Sequence, residues 1–319
     1  MKQKQTHLAV FAVALVALVG VVTLVARTGY GQSQTEGQSA ATPALKPMAL
    51  VEKRTATAAS TSEKKDTSLF AEAATRNTLL KYELSWDFGG KQQRGWYLYT
   101  PLISRMLETE GEAAGSDFAS SLSRWQAASG LRPNGVLDDE TLYRMVSTWQ
   151  GARLKNKAYA TPDQLLQAPT SDFYDPTRAD DLRQVERETY AAYKRMIAAA
   201  AADPSLGLKV TASGELAPEE KFLKIVSSFR SREHQAALRA QSPGSGRAGL
   251  AVNSPHFTGR ALDLYVGGEP VETKDSNRAL QVQTPAYRWL VANAERFGFH
   301  PYYYEPWHWE YVGTAAATQ

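Results

Sequence analysis

Two short stretches near the C-terminus combine residue types that can bind a metal with residue types that can move a proton. They are SPHFTGRALD at residues 254–263 and EPWHWEYV at residues 305–312. His256 and His308 lie in these stretches together with Asp263 and Glu305. Two imidazoles and one carboxylate form an ordinary zinc-binding set, which leaves the fourth tetrahedral position for water.

The spacing within the two stretches predicts how these side chains meet. Residues 261–266 and 307–312 are expected to be strands, with aromatic side chains on one face of the second strand and His308 and Glu310 on the other. In an unbroken strand, residues seven apart point to opposite faces. His256 and Asp263 therefore need a turn between them, and Gly259 can supply it.

Glu305 lies just before the second predicted strand. Pro306 biases the preceding residue towards an extended conformation, so the Glu305 carboxylate can stand beside a metal without binding it. A general base belongs in such a place. Taken singly, each of these residues also has a structural interpretation: a lone His is usually a surface or satisfied core residue, and Asp263 could be a hydrogen-bonded structural carboxylate.

Together the stretches match the pattern S-x-H-x-x-G-x-A-x-D followed by E-x-W-H. With the run WLVANAERFGF at residues 289–299, they resemble the VanY-type D-alanyl-D-alanine carboxypeptidases of the LAS group of zinc peptidases. The resemblance implies that His256, Asp263 and His308 bind Zn2+ and that Glu305 is the catalytic base. It also implies a LAS-type domain, with a small antiparallel sheet and flanking helices, over residues 175–314.

A third segment is similar to the family's S-G-Y-R-S-x-x-x-Q segment, which contributes substrate contacts. Here it reads SSFRSREHQ at residues 227–235, with Ser228 in place of the usual Gly and Phe229 in place of the usual Tyr. The resemblance implies a catalytic and substrate-binding role for Arg230, which could instead be an ordinary surface cation. The other substrate contacts predicted are Gln235, Ser231 and Ser254.

The two remaining histidines of this half, His234 and His300, are expected to be structural or pocket-edge residues, because the metal set is complete without them. The aromatic run at residues 302–304 could line the substrate cleft or pack beneath it. Apolar spacing and stop signals predict helices at residues 180–202, 233–240 and 285–296, and strands at residues 208–212 and 222–229. Helices and short strands without a regular βαβ repeat favour an α+β fold.

Residues 68–160 predict a small all-α domain ahead of the catalytic one. Its sequence pattern resembles the peptidoglycan-binding type-1 repeat, a three-helix module. The pattern begins at Phe118 and reads F-A-x-x-L-x-x-W-Q-x-x-x-G-L-x-x-N-G-V-L-D-x-x-T-L. This resemblance implies contact with the glycan of the cell wall, while a helical spacer or a module for another partner stays open. Helix caps, turns and buried positions are predicted at Gly130, Asn134-Gly135, Asp138 or Asp139, Leu122, Leu142, Met145 and Val146.

The first 67 residues predict an anchor and a tether. The nineteen residues from Leu8 to Ala26 carry no charge and would span about 28 Å as a helix, close to a bilayer core. Residues 1–27 are therefore predicted to be a transmembrane signal-anchor, or alternatively a cleaved signal peptide. Residues 28–67, poor in large apolar residues, are predicted to be a disordered linker. Both alternatives export the C-terminal bulk to the cell envelope, either membrane-anchored or secreted.

Composition excludes several other classes of protein. The chain of 319 residues has no Cys, which excludes disulfide frameworks, thiol nucleophiles and Cys-based zinc fingers. A net charge of +3 makes no basic patch, so no nucleic-acid partner is expected. The protein is expected to be a monomer.

The resemblance implies hydrolysis of the terminal D-Ala-D-Ala bond of peptidoglycan stem peptides. A peptidoglycan endopeptidase or an L,D-carboxypeptidase of the same fold is the first alternative. A non-catalytic cell-wall-binding protein is the second, and the intact set of His256, Asp263, Glu305 and His308 argues against it.

Overall fold

The computed structural model describes residues 57–242 and 250–313. Within these ranges no helix combines the length and the apolar character needed to cross a membrane. The predicted anchor at residues 1–27 and the linker up to residue 56 lie outside the described residues.

The N-terminal part consists of four helices and a β-hairpin. Its elements are α1 (Thr57–Glu83), β1 (Ser85–Phe88), β2 (Lys91–Arg94), α2 (Thr100–Leu107), α3 (Ser116–Ala128) and α4 (Asp139–Ala152). The prediction of an all-α part over residues 68–160 was therefore wrong. Gly89 and Gly90, with φ of 61° and 78°, connect the antiparallel strands β1 and β2 in the left-handed conformation that tight hairpin turns require. Because α1 begins at Thr57, the linker prediction does not hold for residues 57–67.

The predicted connection between α3 and α4 is confirmed. Asp138 caps α4 by accepting a hydrogen bond from the Thr141 amide at 3.0 Å. Gly135 has a φ of 69°, and a Cβ there would lie 2.7 Å from the Ala119 carbonyl oxygen. The predicted core positions are buried, namely Phe118, Leu122, Leu142, Met145 and Val146.

The C-terminal part is a mixed α+β structure with small antiparallel sheets, as predicted. Its elements are β3 (Leu165–Gln167), β4 (Gln184–Glu186), α5 (Arg187–Ala201), β5 (Ile225–Ser227), α6 (Arg232–Gln241), β6 (Ala261–Leu264), α7 (Asp275–Gln281), α8 (Pro285–Asn293), β7 (Phe299–Pro301) and β8 (His308–Tyr311). A 3-10 helix at Pro255–Thr258 precedes β6.

The central sheet has the strand order β5-β6-β8-β7, and every neighbouring pair is antiparallel. Asp263 of β6 lies opposite Ser227 of β5 on one side and His308 of β8 on the other. Ala261 lies opposite Glu310 in the same ladder. The sheet register therefore brings the two predicted motifs side by side.

The helix predicted over residues 180–202 begins only at Arg187. Residues 184–186 pair instead with residues 165–167. The Glu186 carboxylate then accepts hydrogen bonds from the amides of Glu188 at 3.2 Å and Thr189 at 2.8 Å. A carboxylate at this position satisfies free helix amides and interacts well with the helix dipole, so it defines the start of α5.

Two predicted strands are shorter than expected. Residues 208–212 form only an isolated bridge between Val210 and Leu216. Of residues 222–229, only 225–227 form β5, since Leu223 has a φ of 66° and interrupts the extended backbone. The helix predicted at residues 285–296 is α8 followed by a 3-10 turn, and Gly298 closes it with a φ of 85°.

Two buried clusters hold the described residues together. One packs the central sheet against α5 and α8, with Trp307, Trp309 and Tyr311 of the second motif on its inner face. The other lies in the N-terminal part but also includes Tyr302, Tyr303 and Tyr304. The aromatic run at residues 302–304 therefore packs into the cluster of the N-terminal part. The two parts belong to one compact unit that starts at Ala58.

Candidate metal centre

Three buried side chains from the two motifs converge in the C-terminal part. His256 lies in the 3-10 helix, Asp263 on β6 and His308 on β8. One possible ligand atom from each of them lies within 4.8 Å of the others. The arrangement therefore brings together the three residues that the sequence singled out as metal ligands.

The turn between His256 and Asp263 is built as the spacing predicted. Gly259 ends the 3-10 helix with a φ of 67°, and a Cβ at this position would lie 2.9 Å from the Glu186 amide nitrogen. A side chain is thus excluded twice, by backbone conformation and by space. The reversal lets two residues that are seven apart face the same point.

Ser254 takes part in the same turn. Predicted as a substrate contact, it is only 3% exposed, and its hydroxyl accepts a hydrogen bond from the His256 amide at 3.3 Å. Ser231 likewise caps α6 by accepting from the His234 amide at 3.1 Å. The structure therefore uses both hydroxyls to support the local backbone, because a short polar side chain at a helix start satisfies a free amide.

Each imidazole has one nitrogen directed at the cluster and the other at an oxygen. His256 Nδ1 lies 2.6 Å from the Ser228 carbonyl oxygen, which can only accept, so Nε2 is the nitrogen left to face Asp263 at 3.3 Å. His308 Nδ1 lies 2.8 Å from Asp263 Oδ1, while its Nε2 lies 3.2 Å from Glu310 Oε1. Metal-binding histidines are oriented by outer oxygen acceptors in this manner.

The charges around the cluster act differently on its members. Burial lowers the pKa of His256 to about 4, which keeps this imidazole neutral and ready to bind a metal. Burial also lowers the pKa of His308, but the hydrogen bonds to Asp263 and Glu310 outweigh it and raise the pKa to about 9. For Asp263, burial raises the pKa, yet the imidazoles and Arg230 hold it well below its usual range.

Glu305 stands in the turn between β7 and β8, immediately before the His308 strand. Its amide donates to the Tyr302 carbonyl at 3.0 Å, and its own carbonyl accepts from the His308 amide at 2.9 Å. Among the described residues no hydrogen bond reaches the Glu305 carboxylate. Burial therefore raises the pKa of Glu305 to about 8, although the nearby His308 charge lowers it.

Arg230 forms a hydrogen bond with one member of the metal-ligand set. Its Nη2 donates to Asp263 Oδ2 at 2.6 Å, and its Nε donates to Ser227 Oγ at 3.0 Å. Gln235, buried on α6, accepts from Arg230 Nη1 at 3.4 Å and donates to the Ala251 carbonyl at 3.0 Å. Arg230 is therefore no ordinary surface cation, and Gln235 holds it in place.

The structure gives a side-chain role to one of the two departures from the family segment. Ser228 is fully buried, but its contact with His256 Nδ1 is made by the backbone carbonyl, and its hydroxyl has no hydrogen-bond partner among the described residues. Phe229 packs with Ala160 and Leu165 in a small apolar cluster and contacts the Tyr159 ring. A phenyl ring suits this apolar position, where no hydroxyl is needed.

His234 and His300 do not belong to the metal-ligand set, as expected. Strand alternation predicts Glu310 on the same face as His308 but assigns it no role. In the structure Glu310 is fully buried beside His308, and Arg153 forms a salt bridge with Glu310 at 2.5 Å. No local pattern pointed to Arg153.

No curated protein matches this chain. The family model VanY, described as D-alanyl-D-alanine carboxypeptidase, matches residues 182–314. The matched range contains the whole metal-ligand set, Glu305, Arg230 and the central sheet. Over residues 182–314 this chain is therefore similar to the VanY family.

Proposed function

We propose that this protein is a zinc-dependent peptidase that hydrolyses the terminal D-Ala-D-Ala bond of peptidoglycan stem peptides. The observation that carries the proposal is the convergence of His256, Asp263 and His308 beside Glu305, a buried carboxylate that accepts no hydrogen bond from any described residue. The VanY match supports the peptidase class and its metal dependence.

The donor set fits a zinc ion. His256 Nε2, His308 Nδ1 and one Asp263 oxygen would hold it, and two nitrogens with one oxygen are ligands that zinc prefers at neutral pH. The outer acceptors, Ser228 and Glu310, direct the correct nitrogen of each ring to the centre. When bound, zinc lowers the pKa of its water to about 7 and polarises a carbonyl group.

Glu305 acts as the general base and then as the general acid. Its carboxylate accepts the proton of the attacking water and later delivers it to the leaving amine nitrogen of the terminal D-Ala. A raised pKa suits both tasks, because a carboxyl group that titrates near neutrality can take up and release a proton in one cycle. The hydrolysis consumes one water and yields free D-alanine and a peptide that is one residue shorter.

Arg230 has two tasks open to it in the same cleft. It can stabilise the negative charge that develops on the carbonyl oxygen, or it can bind the terminal carboxylate of the substrate. Ser227, Asp263 and Gln235 hold the guanidinium from three sides. A pre-oriented donor of this kind loses little freedom when the substrate binds.

The proposal extends to partner and place. The apolar segment at residues 8–26 supports export and attachment to the membrane, with the catalytic part on the outer side. The partners are then stem peptides and, through the N-terminal part, the glycan of the wall. A monomer suffices for this arrangement, since the metal-ligand set comes from one chain.

Incubation of the full chain with defined muropeptides, with and without a chelator, tests the activity. We expect a pentapeptide to lose one alanine, read by mass, and chelation to stop the reaction. Cleavage of cross-linked dimers would instead indicate an endopeptidase, and loss of alanine from tetrapeptides an L,D-carboxypeptidase. The absence of any product with added zinc would indicate a wall-binding protein and contradict the proposal.

Metal binding should release a proton from His308. Because the pKa of His308 is about 9 in the metal-free protein, Nδ1 carries a proton at neutral pH that a metal must displace. We expect close to one proton per zinc at about pH 6, where a zinc-bound water of pKa about 7 stays mostly intact. Calorimetric titration in buffers of different ionisation enthalpy measures this number.

The titration is best made on the Glu305→Gln chain, so that the Glu305 carboxyl does not contribute a proton. His256 contributes none, since its pKa of about 4 leaves it neutral under these conditions. Adding Glu310→Gln removes one cause of the raised His308 pKa and should reduce the release. Zinc binding without proton release would mean that His308 does not bind the metal through the protonated nitrogen.

A further inference from the structure

A residue of the N-terminal part reaches the metal centre of the C-terminal part. Arg153, which follows α4, donates to Glu310 Oε1 through Nη2 at 2.5 Å and through Nε at 3.1 Å. The Leu154 amide donates to the other oxygen, Oε2, at 2.9 Å. Glu310 is 0% exposed, so these donors compensate a carboxylate that water does not reach.

The guanidinium of Arg153 is itself held in place. Its Nη1 donates to Gln150 Oε1 at 2.7 Å, from the last turn of α4. Its central carbon lies 3.9 Å from the centre of the Tyr302 ring, within the range of a cation–π contact. A planar fork fixed by a hydrogen bond and an aromatic face presents its remaining donors in one direction.

Glu310, held by Arg153, in turn orients the metal ligand His308. It lies two residues after His308 on β8, so both side chains are on the same face of the sheet. Glu310 Oε1, the oxygen that Arg153 grips, lies 3.2 Å from His308 Nε2. A carboxylate at Nε2 orients the His308 ring, so that Nδ1 faces Asp263 and the position where the metal would bind.

We propose that Glu310 and Arg153 are positioning residues for the metal centre, so that the N-terminal part sets the zinc affinity of the C-terminal part. Without Arg153, the Glu310 carboxylate would keep only the Leu154 amide as a donor from that part, and the orientation of Oε1 towards His308 would be lost. This inference rests on the zinc site of the proposed function, and it adds residues that touch neither metal nor substrate.

The test compares zinc affinities of full-length variants, measured by competition with a chromogenic chelator. We expect Glu310→Gln and Arg153→Met to bind zinc about tenfold more weakly or worse, in the range found for outer-shell partners of metal ligands. Arg153→Lys keeps the positive charge but loses the planar guanidinium with its paired N–H donors. Its zinc affinity should lie between those of these variants and that of the unaltered chain. Arg144→Met is the matched control, because Arg144 is exposed on α4, the helix that Arg153 follows, and its side chain bonds only the Ser129 carbonyl among the described residues.

Two further measurements separate positioning from general destabilisation. A purely structural role would lower the melting temperature of the metal-free variants and leave the zinc affinity of the folded molecules unchanged. A positioning role predicts a smaller zinc-induced rise in melting temperature and a shift in the nitrogen NMR signals of His308. Zinc affinities equal to that of the unaltered chain in both Glu310→Gln and Arg153→Met would overturn this inference alone. An unaltered chain that binds no zinc would overturn the proposed function as well.

Discussion

Replacing Glu305 with alanine is expected to abolish hydrolysis of D-Ala-D-Ala peptides while zinc stays bound. Loss of a general base typically costs a factor of about 100 to 10000, so kcat should fall at least a hundredfold. The fold should survive, because burial raises the pKa of Glu305 to about 8 and the metal-free protein already holds this group mainly protonated at neutral pH. Product mass after incubation with a pentapeptide and zinc content per chain are the two measurements.

The matched control is Glu295→Ala, since Glu295 is exposed in the 3-10 turn after α8. This variant should keep both activity and zinc. Near-native activity in Glu305→Ala would remove Glu305 from the role of base. Loss of zinc from Glu305→Ala, with zinc retained in His308→Ala, would mean that ligand and base have been exchanged in the proposal.

Replacing Asp263 with asparagine is expected to remove zinc and, with it, all turnover. One Asp263 oxygen contacts His308 Nδ1 at 2.8 Å and His256 Nε2 at 3.3 Å, and the other accepts from Arg230 at 2.6 Å. Asparagine keeps the shape but loses the charge that attracts the dication. We expect zinc affinity to fall more than about 100-fold, the upper end of the effect of outer-shell residues.

Zinc content after dialysis and product mass measure this second effect. His300→Ala serves as the control, because His300 lies on β7 of the same sheet but outside the metal-ligand set. It should bind one zinc per chain with unchanged affinity. A fully active Asp263→Asn variant with bound zinc would contradict the assignment of Asp263 as a ligand.

Local rules predicted parts of the metal-ligand set, whereas the meeting of its two motifs was implied by the family resemblance and depends on the pairing of β6 with β8. Gly259 forms the turn that lets His256 and Asp263 converge, and strand alternation puts His308 on the face opposite Trp309. The α3–α4 connection was predictable for the same reason, since the Asp138 cap and the Gly135 turn act within a few residues. Such signals need no knowledge of the rest of the chain.

Other features depended on partners far along the chain. The predicted helix at residue 180 begins later because residues 184–186 pair with residues 165–167. The Tyr302–Tyr304 run could not be assigned from its own neighbours, and it packs in the cluster of the N-terminal part.

The chemistry of the centre can be read from the amino-acid sequence: two imidazoles and a carboxylate in the correct order, a second carboxylate beside them, and no Cys to compete. The support of that centre depends on the tertiary structure. Arg153 and Glu310 are 157 residues apart, and no periodicity or turn rule relates positions so distant. Their contact exists because α4 packs against the sheet and leaves a buried carboxylate that must find a cation, a requirement that appears only once the chain is folded.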